Sequence, residues 1–201
     1  MKCFIAIQAD EEIKNSLVKY QDEFFSTPRT TDYKEQKKDG KSVHVAKAPF
    51  RRTKKDHLHL TLFFLGNDVN PILVKRLIPV LQKVAGKTTA FEMECVGFGA
   101  FPKSTNAHSL FARLKSDNLE YLIRLIKDKF EHFDFDIKKK FNPHVTIARN
   151  REGGNASEFV NKYADEKWSQ TNWKVNRLCL FESVQGDNGY EHKIIAEYKL
   201  A

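Results

Sequence analysis

Residues 57–65 read His-Leu-His-Leu-Thr-Leu-Phe-Phe-Leu, and Gly66 follows them. Apolar side chains at alternate positions predict a β-strand that is buried on one face. Side chains two residues apart on a strand share a face, so His59 and Thr61 are expected to lie side by side. The leucines between them then point into the core. This segment therefore predicts a strand that offers one imidazole and one hydroxyl on its open face.

The same pattern returns in the second half of the chain, where residues 144–147 read His-Val-Thr-Ile. Here His144 and Thr146 share a face, while the apolar residues beside them point the other way. Each half of the chain thus has one His-x-Thr strand, which hints at an internal repeat. If the two halves face each other, both histidines and both threonines line one cleft.

The remaining apolar patterns predict an irregular alternation of strands and helices. Further strands are predicted at residues 3–7, 91–98, 109–115, 173–184 and 193–200, and helices after Asp10, Asn70 and Asp117. Asp117 and Glu120 resemble a capping box, and the last two strands are expected to form a hairpin. Hairpins among helices favour an α+β fold over a doubly wound parallel sheet.

Composition places the chain among the globular proteins. Of its 201 residues, 41% are hydrophobic, which is enough for a core and excludes the disordered class. No apolar run reaches the roughly 20 residues of a membrane-spanning helix, and the short apolar start runs into acids, unlike a signal peptide. The three cysteines form no CxxC pair, which indicates buried free thiols rather than disulfides or a cysteine zinc site. A cytoplasmic monomer that binds no membrane is the expected state.

Positive charge is concentrated in one segment. The net charge is +8, and most of it comes from residues 29–55, where lysine and arginine outnumber the acids. The segment from about residue 26 to residue 55 also lacks apolar periodicity, which predicts a long loop. Such a segment either only solvates the surface or draws polyanions such as RNA, and the charge pattern leaves both readings open.

The paired histidines and threonines suit the cleavage of a phosphodiester. The reaction needs a base for the attacking water and an acid for the leaving ribose oxygen, and histidine serves as either near neutral pH. Threonine hydroxyls donate hydrogen bonds to the non-bridging phosphate oxygens, where negative charge builds up. This scheme requires no metal and no cofactor.

Four segments, in order along the chain, resemble a known family. They are residues 4–7, residues 57–66, residues 98–102 with 110–112, and residues 141–149. The family is that of the RNA 2′,3′-cyclic phosphodiesterases, also called 2′-5′ RNA ligases, in the two-histidine phosphoesterase superfamily. The resemblance covers nearly the whole chain outside residues 26–50.

The resemblance implies a single bilobal α+β domain over residues 1–201, with a basic insertion at about residues 26–55. Two antiparallel sheets would face each other across a central cleft, with the helices on the outside. The resemblance also implies that His59 is the proton donor and His144 the proton acceptor, and that the two motif threonines hold the phosphate.

Two positions near the first motif depart from the family pattern. His57 stands where family members often have asparagine, and strand alternation places it on the same face as His59. Such a pair either binds zinc with a third ligand or forms hydrogen bonds at the edge of the cleft. Arg52, preceded by Arg51, lies in the region where the family commonly has an aromatic residue, which favours phosphate contact over base stacking.

Two further residues are candidates for binding the substrate. Phe63 shares the predicted open face with His59, where it either stacks a nucleobase or packs at the floor of the cleft. Arg149 matches the arginine that ends the family's second motif, but strict alternation from His144 places it on the opposite face. Either a β-bulge turns Arg149 into the site or it ends the strand and binds elsewhere; the resemblance favours the site.

The leading functional hypothesis is hydrolysis of an RNA 2′,3′-cyclic phosphate, which leaves a 2′-phosphate. RNA ends or small cyclic nucleotides are then the partners. The alternatives are a phosphodiesterase for 2′-5′-linked oligonucleotides, a zinc hydrolase that uses His57 and His59, and an RNA-binding module without catalysis. The last of these is disfavoured because both His-x-Thr motifs are intact.

Overall fold

The computed structural model describes residues 1–26, 33–46, 49–133, 135, 141–166, 173–187 and 189–201. Its strands are β1 (Cys3–Gln8), β2 (Tyr33–Lys38), β3 (Lys41–Ala46), β4 (Arg51–Arg52), β5 (His59–Gly66), β6 (Phe91–Lys103), β7 (Asn106–Lys115), β8 (His144–Gly154), β9 (Trp173–Val175), β10 (Arg177–Gly186) and β11 (Gly189–Lys199). Its helices are α1 (Glu11–Ser26), α2 (Pro71–Ala85), α3 (Asp117–Phe130) and α4 (Ser157–Lys162), and a 3-10 turn covers Lys55–His57. The helices and antiparallel strands confirm the α+β class.

The main sheet has nine strands, namely two four-stranded halves and the short β4, which pairs with β8. One half has the strand order β11-β10-β1-β5 and the other has the order β8-β7-β6-β9. One residue pair, Leu60 with Val145, joins β5 to β8. These are the middle residues of the two His-x-Thr segments, so the link between the halves brings the two motifs side by side. The two antiparallel sheets that the resemblance implies are thus present as two halves that meet at the motifs.

The core lies between the sheet and the helices. Leu60 and Val145 are buried in it, together with apolar side chains of α1, α2 and α3. The first half also has a separate small apolar cluster, made of Phe4, Ala6, Cys179 and Phe181. Phe4 stacks on the ring of His59, so this second cluster lies on the face of the sheet that carries the motif.

Capping residues account for the start of α1 but not for the start of α3. The Oδ1 atom of Asp10 accepts a hydrogen bond from the amide of Ile13 at 2.9 Å, which confirms Asp10 as the cap of α1. The capping box expected from Asp117 and Glu120 is wrong, because Asp117 is already the first helical residue and Ser116 takes the N-cap position.

The basic segment is more regular than its sequence indicates. Strands β2 and β3 pair along their whole length as an antiparallel hairpin, so the loop expected here is wrong for residues 33–46, which we call the basic hairpin. Residues 34–42 are all polar apart from Gly40, so the alternation that marks a half-buried strand is missing over most of the hairpin. Lys34 of the hairpin forms an ion pair with Glu152 of β8. Residues 27–32, 47 and 48 of this segment lie outside the described residues.

The strand predicted at residues 173–184 is divided between the two halves. β9 pairs with β6 in the second half, whereas β10 pairs with β1 in the first half. The chain passes from one half to the other at Asn176, whose carbonyl accepts a hydrogen bond from the amide of Leu200 at 2.9 Å. β10 and β11 form the predicted terminal hairpin.

The cysteines are free thiols and the helices are short. The thiols of Cys3, Cys95 and Cys179 are buried and free, as their spacing indicates. Among the helices within the described ranges, none is long and apolar enough to cross a bilayer.

Candidate active site

An open cleft of about 630 Å³ lies over the place where the two halves meet. All four motif side chains, His59, Thr61, His144 and Thr146, line it. The single bridge between β5 and β8 explains this arrangement, because each motif's middle residue points into the core and the residues beside it face the opposite way. The sequence-predicted convergence of the two motifs is therefore what the structure has.

The two histidines make the same hydrogen bond. The Nδ1 atom of His59 lies 2.7 Å from the carbonyl oxygen of His57, and the Nδ1 atom of His144 lies 2.7 Å from that of Asn142. A carbonyl oxygen only accepts hydrogen bonds, so each Nδ1 carries a proton and donates it. Each Nε2 atom is then left to accept a proton or, once protonated, to give one.

His59 is enclosed by other rings of the first half. Its ring stacks on Phe4 at 4.9 Å between centroids and meets the ring of His192 edge-on at 5.3 Å. Its Nε2 atom lies 3.0 Å from the hydroxyl oxygen of Thr61. Burial is the main cause that lowers the pKa of His59 to about 4, with smaller contributions from nearby positive charge.

His144 has an aromatic setting of a different shape. The rings of Phe101 and Phe111 meet its imidazole edge-on, at 5.3 Å and 5.1 Å between centroids. Burial also lowers the pKa of His144, and the carbonyl of Asn142 opposes that effect. Both imidazoles therefore favour the neutral form at neutral pH when no anion is bound.

A β-bulge follows the threonine in each motif. Between β1 and β5, Ala6 pairs with Thr61 and the next pair is Ile5 with Phe63, so Leu62 is an extra residue. Between β7 and β8, the pairing passes over Ile147 in the same way. A bulge places two successive residues on the same side and shifts the alternation of those that follow. The third residue after each threonine, rather than the second, thus returns to the cleft.

The bulge in the second motif settles the position of Arg149. Ile147 and Ala148 are both buried, and Arg149 lines the cleft. One Nη atom of Arg149 lies 3.5 Å from the hydroxyl oxygen of Thr146. Of the two alternatives left open by strict alternation, the bulge is the one that the structure has.

The bulge in the first motif corrects the placement of Phe63. Its side chain packs against the core, with its ring 6.3 Å from that of Phe130, and it is absent from the described residues that line the cleft. Phe64 takes the open face instead and is 53% exposed. The sequence pattern placed Phe63 rather than Phe64 in the cleft because strict alternation assumes a strand without an extra residue.

The histidine before the first motif belongs to the 3-10 turn rather than to the strand. His57 nevertheless lines the cleft, with its ring 4.5 Å from that of His192. His192, on β11, was missed by the sequence analysis because only the order of the strands brings the end of the chain to this site. In the described part of the chain, no group of three or more His, Cys, Asp or Glu side chains is placed to hold a metal ion.

Arginine and lysine dominate the charge of the cleft. The cations that line it are Lys2, Arg51, Arg52, Lys54, Arg149 and Arg151, and within the described chain no carboxylate lines it. Arg52, which the sequence analysis proposed for substrate binding, also forms an ion pair with Asp22 and lies 4.8 Å over the ring of Phe25. A cleft with one sign of charge concentrates anionic ligands.

Exposed aromatic rings lie on the side of the first half. Phe64 and Tyr190 are large, exposed and part of the cleft lining. The ammonium group of Lys2 lies 4.1 Å from the centroid of the Tyr190 ring. Aromatic faces beside a phosphate site are suited to stacking a nucleobase.

Comparisons with known sequences agree with this geometry. The family model described as the 2′-5′ RNA ligase superfamily matches residues 40–187. The chain is 22% identical over 201 residues to the RNA 2′,3′-cyclic phosphodiesterase of Methanocaldococcus jannaschii, covering 98% of this chain and 100% of that protein. It is 24% identical over 152 residues to the protein of the same name from Thermotoga maritima, covering 71% of this chain and 75% of that protein.

Solved structures share the whole fold. The crystal structure of TT0787 from Thermus thermophilus has a TM-score of 0.76 at 19% identity, covering 100% of this chain and 98% of that one. That of E. coli LigT complexed with 3′-AMP has a TM-score of 0.69 at 18% identity, covering 99% and 97%. At sequence identities of 19% and 18%, this structural similarity shows a shared fold.

Proposed function

Because the chain belongs to the 2′-5′ RNA ligase superfamily, we propose that it hydrolyses the 2′,3′-cyclic phosphate of RNA ends and leaves a 2′-phosphate. The observation that carries the proposal is the pair of His-x-Thr strands joined at their middle residues, each with its histidine oriented by a carbonyl two residues earlier. The names of the relatives from M. jannaschii and T. maritima support this substrate.

The scissile phosphate would lie between the two motifs. The hydroxyls of Thr61 and Thr146 donate hydrogen bonds to its non-bridging oxygens, and the guanidinium of Arg149, beside Thr146, adds a positive charge. These donors are held in place by the strands before the substrate arrives. They stabilise the extra negative charge that develops on the phosphorus centre during attack.

The two histidines move the protons. As the water oxygen attacks phosphorus, the Nε2 atom of His144 takes the water's proton; as the bond from phosphorus to O3′ breaks, the Nε2–H of His59 gives its proton to O3′. The product then has a 2′-phosphate and a free 3′-hydroxyl. The assignment of His59 as donor and His144 as acceptor follows the family resemblance, and the reverse assignment is the alternative to be tested.

The low pKa of His59 means that a bound anion must favour its protonated form before it can donate a proton. With a pKa of about 4, His59 is rarely protonated in the free protein at neutral pH. An anionic phosphate at hydrogen-bonding distance favours the protonated imidazole and raises its pKa. Binding of the substrate therefore prepares the proton donor, and no step of this scheme uses a metal.

The direct test is the fate of a short RNA with a 2′,3′-cyclic end in the presence of EDTA. We expect conversion to the 2′-phosphate, identified by its resistance to an exonuclease that requires a free 2′-hydroxyl and by phosphorus NMR. The His59→Ala, His144→Ala double variant is expected to lose this conversion while its melting temperature stays close to that of the wild type. Full turnover by that variant, or a 3′-phosphate as the product, would contradict the proposal.

A second candidate substrate is a 2′-5′-linked oligonucleotide. The openness of the cleft and its cations beyond Arg149 favour it, because they leave room for nucleotides on both sides of the phosphate. The ratio of kcat/KM for a cyclic-phosphate end to that for a 2′-5′ oligoadenylate of equal length separates the two. A ratio well above one supports the cyclic phosphate.

A further inference from the structure

We infer that Arg51 and Arg151 form a second phosphate subsite beside the scissile one. The preferred substrate is then an RNA end with an internucleotide phosphate next to its terminal cyclic phosphate, rather than a mononucleotide. This inference rests on the proposed function and specifies its substrate class.

The positions of the arginines follow from strand pairing. Arg149 marks the scissile end of the row because it lies beside Thr146. Arg51 of β4 is its direct cross-strand partner, and side chains of directly opposed residues lie next to each other on one face. Arg151 follows two residues later, with the buried Asn150 between them, and it also lines the cleft.

The spacing along β8 suits a nucleic-acid backbone. The pairing of β8 with β7 is interrupted between Arg149 and Gly154, so Arg149 and Arg151 are separated by at most the extended length of two residues, roughly 7 Å. That length is comparable to one nucleotide step between successive phosphates of RNA. A phosphate on Thr146 and Arg149 thus leaves the next phosphate of the chain near Arg151 and Arg51. The exposed aromatic rings of Phe64 and Tyr190 lie on the other half of the cleft, so the row of arginines is left for the backbone.

The described part of the protein does not neutralise the charges of Arg51 and Arg151. Within the described ranges, no carboxylate lies within ion-pairing distance of Arg51 or Arg151, whereas Arg52 is paired with Asp22. Like charges that face each other across two strands destabilise the pair, and an anionic ligand removes that cost. The acid next to Arg151 along the chain, Glu152, is held by Lys34 of the basic hairpin, so the hairpin keeps this acid engaged and the arginine free.

One phosphodiester does not explain this set of charges. It carries a single negative charge, which Arg149 already balances while the two threonines supply hydrogen bonds. Each further phosphate that a protein neutralises adds affinity that depends on salt. Two additional guanidinium groups near Arg149, neither of them paired with a described carboxylate, therefore fit a ligand with more than one phosphate.

The test compares three substrates that end in the same base. They are uridine 2′,3′-cyclic phosphate, the dinucleotide ApU with a 2′,3′-cyclic end, and the same dinucleotide with a neutral methylphosphonate linkage. We expect kcat/KM for the charged dinucleotide to exceed that for the neutral one by about tenfold or more, the size of a charge-assisted hydrogen bond. In the Arg51→Gln, Arg151→Gln double variant this ratio should fall to near one.

A matched control removes the same kind of charge elsewhere. Arg124→Gln changes an exposed arginine of α3 outside the cleft lining, and the ratio should stay at its wild-type value. Melting temperatures establish that the variants fold. If wild-type protein turns over the charged and neutral dinucleotides equally well, the subsite is wrong and the proposed function stands.

A binding measurement keeps the subsite testable even without turnover. If none of the three substrates is hydrolysed, the proposed function fails, and the inference is then decided with ApU bearing a 2′-phosphate, in its charged and methylphosphonate forms. Tighter calorimetric binding of the charged form, lost in the double variant but kept in Arg124→Gln, supports the subsite. Equal affinity for both forms overturns it.

Discussion

The two motif strands are built alike but deliver different groups to the cleft. In each, the histidine donates its Nδ1–H to a carbonyl two residues earlier, and a bulge follows the threonine. The bulge of the first strand brings Phe64 to the cleft, whereas that of the second brings Arg149. One local geometry thus gives an aromatic side in the first half and a cationic side in the second.

The walls around the two histidines differ as well. His59 lies between Phe4 and a second imidazole, His192, while His144 is bordered by two phenylalanines. In the proposed reaction, the repeated motif fixes which atoms would face the phosphate, and the side chains contributed by neighbouring strands influence how readily each histidine gains a proton. Near-equal motifs can therefore perform opposite steps of one reaction.

The largest effect is expected when either histidine is removed. His59→Ala and His144→Ala should each lower kcat by about 10²–10⁴-fold, the usual contribution of a positioned acid or base. A cyclic substrate with sulfur in place of O3′ distinguishes their roles, because thiolate leaves without needing a proton. On it, His59→Ala should recover much of its lost rate and His144→Ala should not; the opposite pattern would reverse the assignment. His108→Ala, an exposed histidine outside the cleft lining, is the matched control.

The next effect is expected at the arginine that the second bulge supplies. Arg149→Gln should lower kcat/KM by about 10–100-fold, because a charge-assisted hydrogen bond to the phosphate is lost. Arg149→Lys should restore only part of that loss, since an ammonium group does not reproduce the two-pronged contact. Steady-state kinetics on a cyclic-phosphate end checks both. Wild-type kcat/KM in Arg149→Gln would remove this residue from the site.

A smaller effect distinguishes Phe63, which the first bulge turns toward the core, from Phe64, which it turns toward the cleft. Phe64→Ala should raise KM about fivefold or more through lost base stacking and leave the melting temperature nearly unchanged, because its ring is exposed. Phe63→Ala should instead lower the melting temperature by roughly 5 °C through lost packing. Thermal melts and KM values measured on the same samples check the pair. The reverse pattern would show that the strand has no bulge in solution.

The smallest expected effect is a shift in the pKa of one histidine. His192→Ala opens the wall beside His59, and because burial is the main cause of its low pKa, the pKa should rise from about 4 toward 6.5. Phe101→Ala should raise the pKa of His144 instead. NMR titration of the imidazole protons measures both pKa values. A His59 pKa that responds only to Phe101→Ala would contradict the enclosure described above.

Much of the candidate active site follows from residues that are near each other in sequence. The side chains of His59, Thr61, His144 and Thr146 were predictable because a strand places alternate residues on one face, and the leucine, valine and isoleucine beside them fix which face is buried. For these four side chains, the structure adds the pairing of Leu60 with Val145, which joins the two halves. The family resemblance predicted the two-sheet arrangement that this bridge completes.

The remaining features depend on information that a local pattern lacks. A bulge adds one residue without changing the composition of the strand, so alternation misplaced Phe63 and left Arg149 undecided. His192 and Tyr190 reach the cleft only because β11 follows β10 and β1 across the sheet. Residues 34–42 of the basic hairpin are all polar apart from Gly40, so most of its pairing leaves no period-two pattern in the sequence.

The most direct test of the account is whether the two histidines act as one unit. We would measure kcat for a 2′,3′-cyclic RNA end, in EDTA, with the wild type, both single alanine variants and the double variant. Groups that act together in one step give strongly non-additive losses, so the double variant should be little slower than the slower single variant. A double loss equal to the product of the single losses would show two independent contributions, and undiminished turnover in the double variant would place the chemistry elsewhere.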